Sequence, residues 1–345
     1  MKLRLFSLAA LGLWLVAATP GWLSAESVIP LTPVTTIDLG AKKPTEKTPV
    51  VSSVALGPKS QQMATAGDDH LVRIWDFKQG AVLRRLVGHG DWVRAVAFSP
   101  DGLRLATAGD DRRIRFWDLA TGSLLHSVPT SRTVVQTLAF SPDGRLLAAG
   151  GFGNEIVLIN TSDGQVDRRL VAAGDDVLAL AFSPDATQLA AAGRNGTIRI
   201  WNNKQHARDL VGHRRRVRAL AFSPNGSQLA SAGDDREIQL WNPATGEQLA
   251  TLPKQPAKLL VLAYCSPDFL ACGGSDNVIR VWNLREGVEA FSLAGHTGSV
   301  TALVWNQDTQ NLVSGSFDTT VRVWNLSLDT IDRVSQQDPR AKLGE

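Results

Sequence analysis

Cysteine and tyrosine are the scarce residues of this 345-residue chain, which has two Cys and a single Tyr, Tyr264. Two cysteines cannot staple a small secreted scaffold, so the fold rests on a packed core. An excess of one charge is also missing: 36 Lys+Arg face 33 Asp+Glu. Without its first 25 residues, which carry Lys2 and Arg4, the chain holds 34 basic residues against 33 acidic ones. A nucleic-acid footprint needs far more positive charge, so nucleic acid is not an expected partner. With 43% hydrophobic and 20% charged residues, the composition is that of a globular protein and not of a disordered or collagen-like one. Tryptophan is what the chain has in surplus, with ten copies.

Long apolar runs are confined to the N-terminus. Lys2 and Arg4 precede a fourteen-residue apolar stretch, Leu5 to Ala18, and small residues follow, ending at Ala18 or at Ala25. This is the layout of a secretory signal peptide; a spanning helix needs about twenty apolar residues. The reading is an exported chain, periplasmic or secreted, with residues 1–25 as the signal peptide. An uncleaved segment would instead tether it to a membrane. No cysteine stands near either cleavage point to carry a lipid.

The tryptophans mark a repeat. RIWDF, RFWDL, VLINT, RIWNN, QLWNP, RVWNL and RVWNL recur, anchored on Trp75, Trp117, Ile159, Trp201, Trp241, Trp282 and Trp324. Successive anchors lie 42, 42, 42, 40, 41 and 42 residues apart. AFSPDG at 97–102 and 139–144, AFSPDA at 181–186 and AFSPNG at 221–226 precede four of them. Within one unit, Val93 to Phe98, Leu105 to Ala108, Arg113 to Trp117 and Ser123 to Val128 read as strands separated by turn-forming residues. A sheet of four short strands cannot bury both faces alone, whereas seven stacked around an axis can.

The repeat length and the Gly-His and Trp-Asp signatures resemble the WD40 family. The expected fold is all-β: a seven-bladed propeller of four-stranded antiparallel blades, closed by an N-terminal strand. The expected organisation is a signal peptide over 1–25, a linker over 26–36, the propeller over 37–327 and a flexible tail over 328–345. The resemblance implies ring closure by a strand at Thr35 to Leu39, with Ala41 to Thr48 leading into blade one. A monomer is expected.

His89, Thr107, Asp111 and Trp117 recur as His213, Ser231, Asp235 and Trp241, and again as His296, Ser314, Asp318 and Trp324. A His, a hydroxyl and an acid suggest a hydrolase triad, but three copies around a ring argue for structure. The resemblance implies a hydrogen-bond network within each blade. Blade one keeps Thr65, Asp69 and Trp75; blade three has Ala149, Gly153 and Ile159; blade four has Ala191 and Asn195; blade six has Cys272 and Asp276. Blades three and four should therefore be the least rigid. Cys265 aligns with the Phe of AFSP if Ser266-Pro267 is matched to Ser-Pro, which sets the two thiols diagonally. If Ala263-Tyr264 matches Ala-Phe, Cys265 is an extra residue.

No phosphate loop, zinc motif, paired Cys-x-x-Cys or Gly-x-Ser-x-Gly occurs, so neither an enzyme, a cofactor nor a metal is expected. Protein binding is the class that remains. By resemblance, the face with the loops into each first strand and between second and third strands binds peptides. It would include Trp92, Arg94, Phe152, Arg194, Arg216, Arg218 and Phe317. Arg214-Arg215-Arg216 with Arg218 and Arg194 would suit an acidic peptide; the same residues also fit a solvated run neutralised by Asp234 and Asp235. The alternative from another class is an enzyme or small-ligand binder at the central channel mouth.

Overall fold

The computed structural model describes residues 29–38, 50–58, 62–76, 79–130, 134–203 and 206–326. The proposed signal peptide, the loop 41–48 and the tail 328–345 lie outside the described residues. All regular structure described is β: seven antiparallel sheets of four strands each, one of which gains a fifth. Blade two shows the pattern, with Val93–Phe98 innermost, then Arg104–Gly109, Arg113–Asp118 and Leu124–Pro129 outermost.

Apolar alternation explains the ring. Each blade turns one set of side chains towards the blade before it and the other set towards the blade after it. The core therefore divides into seven clusters, one per gap. Ala64, Ile74, Leu86, Val96, Leu105 and Trp117, for example, fill the gap between blades one and two. The repeated Trp is a gap filler: Trp117, Trp241 and Trp324 are all buried. Trp305 takes the place of Phe98, pairing with Leu312 as Phe98 pairs with Leu105.

The AFSP turn has one mechanism throughout. Ser99 Oγ accepts the Arg104 N–H at 2.9 Å and donates to Asp101 Oδ1 at 2.5 Å. Two residues beyond the proline the chain turns left-handed, which Gly102 permits at φ 72°. In blade four that position is Ala186, at φ 57°.

The ring closes as expected. Thr35–Asp38 pairs antiparallel with Thr320–Asn325 and supplies the outer strand of blade seven. One strand was not expected: Ile29–Leu31, inside the stretch read as linker, pairs parallel with Val288–Leu293 on the outer edge of blade six.

In blade six the matched Ser-Pro misleads. Ser266 pairs with Phe269, so the hairpin turns through only Pro267 and Asp268, a shorter turn than that of blade two. The shorter turn shifts the register: Tyr264 pairs with Leu270, Leu262 pairs with Cys272, and Cys265 is the bulged extra residue. Cys272 packs into the gap towards blade five and Cys265 into the gap towards blade seven. The two thiols thus face away from each other, and both are free. Burial pushes each thiol up to about 12, leaving both protonated and unreactive at neutral pH.

Candidate protein-interaction face

The tetrads close into chains of hydrogen bonds. Trp117 Nε1 donates to Thr107 Oγ1 at 2.8 Å, Thr107 Oγ1 lies 2.7 Å from His89 Nε2, and His89 Nδ1 lies 2.9 Å from Asp111 Oδ2. Blades five and seven repeat this through Trp241, Ser231, His213 and Asp235, and through Trp324, Ser314, His296 and Asp318. In one assignment the indole N–H donates to the hydroxyl, the hydroxyl to Nε2, and Nδ1–H to the carboxylate; in blade two Arg115 Nη1 also lies 2.8 Å from His89 Nδ1 and 2.6 Å from Asp111 Oδ2. His89 and His296 are then neutral. Burial holds His89 and His296 below the ordinary value, outweighing their carboxylate neighbours. Burial alone would raise Asp318, but the Thr320 hydroxyl, the Thr297 N–H and His296 bring it down to about 2. The hydroxyls of Thr107, Ser231 and Ser314 are fully buried, out of reach of any substrate, so the tetrad acts as a brace. It ties the loop entering one blade to the turn between that blade's second and third strands, as in Gly90 N–H to Asp111 Oδ2 at 3.2 Å.

Where the tetrad fails, the geometry changes. In blade six the buried Trp282 Nε1 faces the Cys272 sulfur, where blades one, two, five and seven present a hydroxyl oxygen. In blade three the left-handed residue is Gly153, at φ 105°, one position earlier than Arg112, Arg236 or Thr319 in their turns. Asp176, on the loop entering blade four, accepts the Gly153 N–H at 3.3 Å and Arg194 Nη1 at 3.4 Å. One half-buried carboxylate there replaces a buried brace.

The braced loops and turns form one face, and a ring of bulges marks its centre. Every innermost strand carries a β-bulge at its second residue: Ser52, Arg94, Gln136, Leu178, Arg218, Leu260 and Thr301. A bulge re-aims the extra side chain. Two of the seven lock neighbouring blades, since Ser52 Oγ donates to Val93 O at 2.6 Å and Thr301 Oγ1 to Val51 O at 3.1 Å. Nothing in the residue pattern announces these bulges. No group of three or more potential metal ligands occurs among the described residues.

The proposed contact residues divide into engaged and open ones. Arg94 is engaged by Asp110 through two bonds, at 2.8 and 2.6 Å, and its guanidinium lies 3.7 Å over the Trp92 ring centroid. Trp92 is therefore not a free ring: one of its faces is covered, and Nε1 is buried without a partner. Arg218 is engaged by Asp234 at 2.7 and 3.2 Å. Arg194 reaches towards Asp176 but stays 62% exposed. Phe152 and Phe317 are exposed on blades three and seven, which are not neighbours, so they form no common patch.

Arg216 lies in an open basic sector. Arg214, Arg215 and Arg216 are exposed in the loop entering blade five, and Arg236 in that blade's own turn. Lys254 and Lys258 are exposed in the next loop, 252–258, which replaces the Gly-His loop. Of the two carboxylates expected to neutralise the run, Asp234 neutralises its Arg218, whereas Asp235 is bound by His213. None of these six cations is ion-paired among the described residues. Arg236 joins Arg216 only once blade five has folded, and Lys254 and Lys258 only once blades five and six are stacked, so the linear sequence did not single them out.

Comparison with known proteins agrees with the architecture. The chain matches the family described as "IFT122 first beta-propeller" over residues 50–289 and "WD domain, G-beta repeat" over 287–325. It is 44% identical over 62 residues to Periodic tryptophan protein 2 of Arabidopsis thaliana, covering 17% of this chain and 7% of that protein. It is 31% identical over 97 residues to WD repeat-containing protein slp1 of Schizosaccharomyces pombe (26% and 20%), and 39% identical over 77 residues to Anaphase-promoting complex subunit cdc20 of Dictyostelium discoideum (19% and 15%). The matched stretches thus span at most a fifth of these three relatives. Seven blades, their Trp anchors and these matches place the chain in the WD40-repeat β-propeller family.

Proposed function

We propose that the chain is an exported, non-catalytic interaction scaffold that holds an acidic segment of a partner protein on the braced face at blades five and six. The observation that carries this is the sector of exposed cations that have no ion-pair partner among the described residues, Arg214, Arg215, Arg216, Arg236, Lys254 and Lys258. Unpaired cations on rigid loops attract an acidic ligand and orient it, at small cost in loop ordering. A relative whose name makes it a subunit of a larger complex supports the scaffold reading.

Affinity capture tests it. Arg215→Glu with Arg216→Glu should abolish partner capture while leaving the melting temperature unchanged, because neither side chain supports the fold. Undiminished capture would remove the reading. Export rests on residues 1–25 and is tested by N-terminal sequencing of the mature protein. A start at Glu26 or Thr19 supports it, and a start at Met1 or Lys2 contradicts it.

A further inference from the structure

The basic loop entering blade five rests on a turn of the preceding blade. In the turns between second and third strands, one residue is left-handed: His70, Arg112, Arg236, Asn277 and Thr319 take that place, with φ between 56° and 70°. Each of the five carries a side chain, and each is at least partly exposed. Blade four puts Gly196 there, at φ 81°, and Gly196 is buried.

Left-handed backbone alone does not call for glycine here, since five other blades manage without it. The requirement comes from the next blade. A Cβ on Gly196 would stand 2.5 Å from the carbonyl oxygen of His213 and 2.8 Å from that of Arg215. Both are main-chain atoms, so neither can swing aside as the end of a side chain would. The bare Cα lets the loop lie directly on the turn. On its other side the same turn is held by the loop entering blade four. Asn195 Nδ2 donates to Ala173 O at 3.1 Å, and a Cβ on Gly174 would stand 2.3 Å from Asn195 Nδ2. The blade-four turn is thus a spacer wedged between two entry loops. Blade five supplies the second support of the basic loop, where Asp235 accepts the Arg214 N–H at 3.1 Å.

Taking the basic sector as the site of the acidic partner, as proposed above, we infer that Gly196 is its positioning residue. It contributes no charge; it fixes the height and direction of the main chain from which Arg214, Arg215 and Arg216 project. Arginines on a loop seated from both sides lose little freedom on binding, and that pre-organisation raises affinity without adding a contact. An alanine at 196 would lift the loop off the turn, leaving every charge in place but spoiling its aim. The ligand that feels this is an acidic segment spanning more than one of these arginines, because a single carboxylate could follow one displaced side chain.

The probe is fluorescent hexaglutamate, titrated by anisotropy into the full chain. Gly196→Ala should lower its affinity about fivefold. Gly144→Ala is the matched control: φ is 71° there, a Cβ would meet nothing nearer than Pro100 Cδ at 3.6 Å, and Ala186 already fills the same turn position in blade four. It lies on the opposite face and should leave the affinity unchanged. Equal affinity of Gly196→Ala and wild type, or an equal loss in both variants, would overturn the assignment. Should Gly196→Ala fail to fold, Asn195→Ala frees the turn from Ala173 without adding an atom. It should give a smaller loss in the same direction, and no loss would overturn the assignment. If wild type does not bind hexaglutamate, the acidic-partner reading falls, and amide exchange decides the positioning by itself. Gly196→Ala should then speed exchange at 213–216 while Gly144→Ala does not, and equal exchange in the two variants would overturn it.

Discussion

Asp234 grips Arg218 through both carboxylate oxygens, and so removes one cation from the basic sector while fixing the turn of blade five against its innermost strand. The pair is partly exposed and contributes little stability, about 0.5 kcal/mol. Its larger effect is on the field at the face. Asp234→Asn should release the Arg218 charge, and an acidic partner should then bind several-fold tighter at low salt, with the gain fading as salt rises. Isothermal titration at two ionic strengths measures this, and weaker binding by the variant would count against an acidic partner.

The braces predict where the ring opens first. Blades two, five and seven carry complete tetrads, whereas blades three and four have Ala149 and Ala191 in place of the hydroxyl. Amide exchange in 134–201 should be faster than in 217–241 and 300–324. Equal or slower exchange there would show that apolar packing, and not the polar brace, sets local rigidity.

Acid should destabilise the protein in two stages. Burial keeps His89 and His296 below their ordinary 6.5, so the unfolded chain binds their protons first and stability falls as pH drops below that value. Asp111, Asp235 and Asp318 lie below the ordinary 3.8, Asp318 at about 2. Their contribution is complete above 3.8 and disappears as pH falls towards 2. A melting temperature flat above about pH 7 and declining in both windows is expected. A rise between pH 7 and 5 would mean that the histidines are charged in the fold.

Ala186 holds a left-handed turn that its counterparts fill with glycine. Relief of its Cβ strain should make Ala186→Gly more stable by about 1 kcal/mol, even after the added freedom of the unfolded chain is counted. Urea denaturation decides it: an unchanged or lower midpoint would show that the turn carries no such strain.

The blades were legible because their signals are local and repeated. Trp anchors at constant spacing, Ser-Pro-Asp-Gly turns and alternating apolar residues each specify a strand or its end. Features that depend on neighbours in space were not. The bulges at Arg94 and Arg218 arise from pairing with the second strand, and the shortened turn at Pro267-Asp268 moved Cys265 out of register despite an intact Ser-Pro. Ile29–Leu31 has no periodicity of its own and is a strand only because blade six offers an edge. At the candidate site, Arg216 was legible as a cation, but which arginines are free was not, because Asp110 and Asp234 decide that from another strand's end.

The central claim is that a partner is held on the braced face at blades five and six. Hydrogen exchange of the full chain with and without its captured partner tests it most directly. Protection should concentrate in 212–218, 234–237 and 252–258. Protection confined to the opposite turns, at 99–103, 141–145 and 183–187, would contradict it.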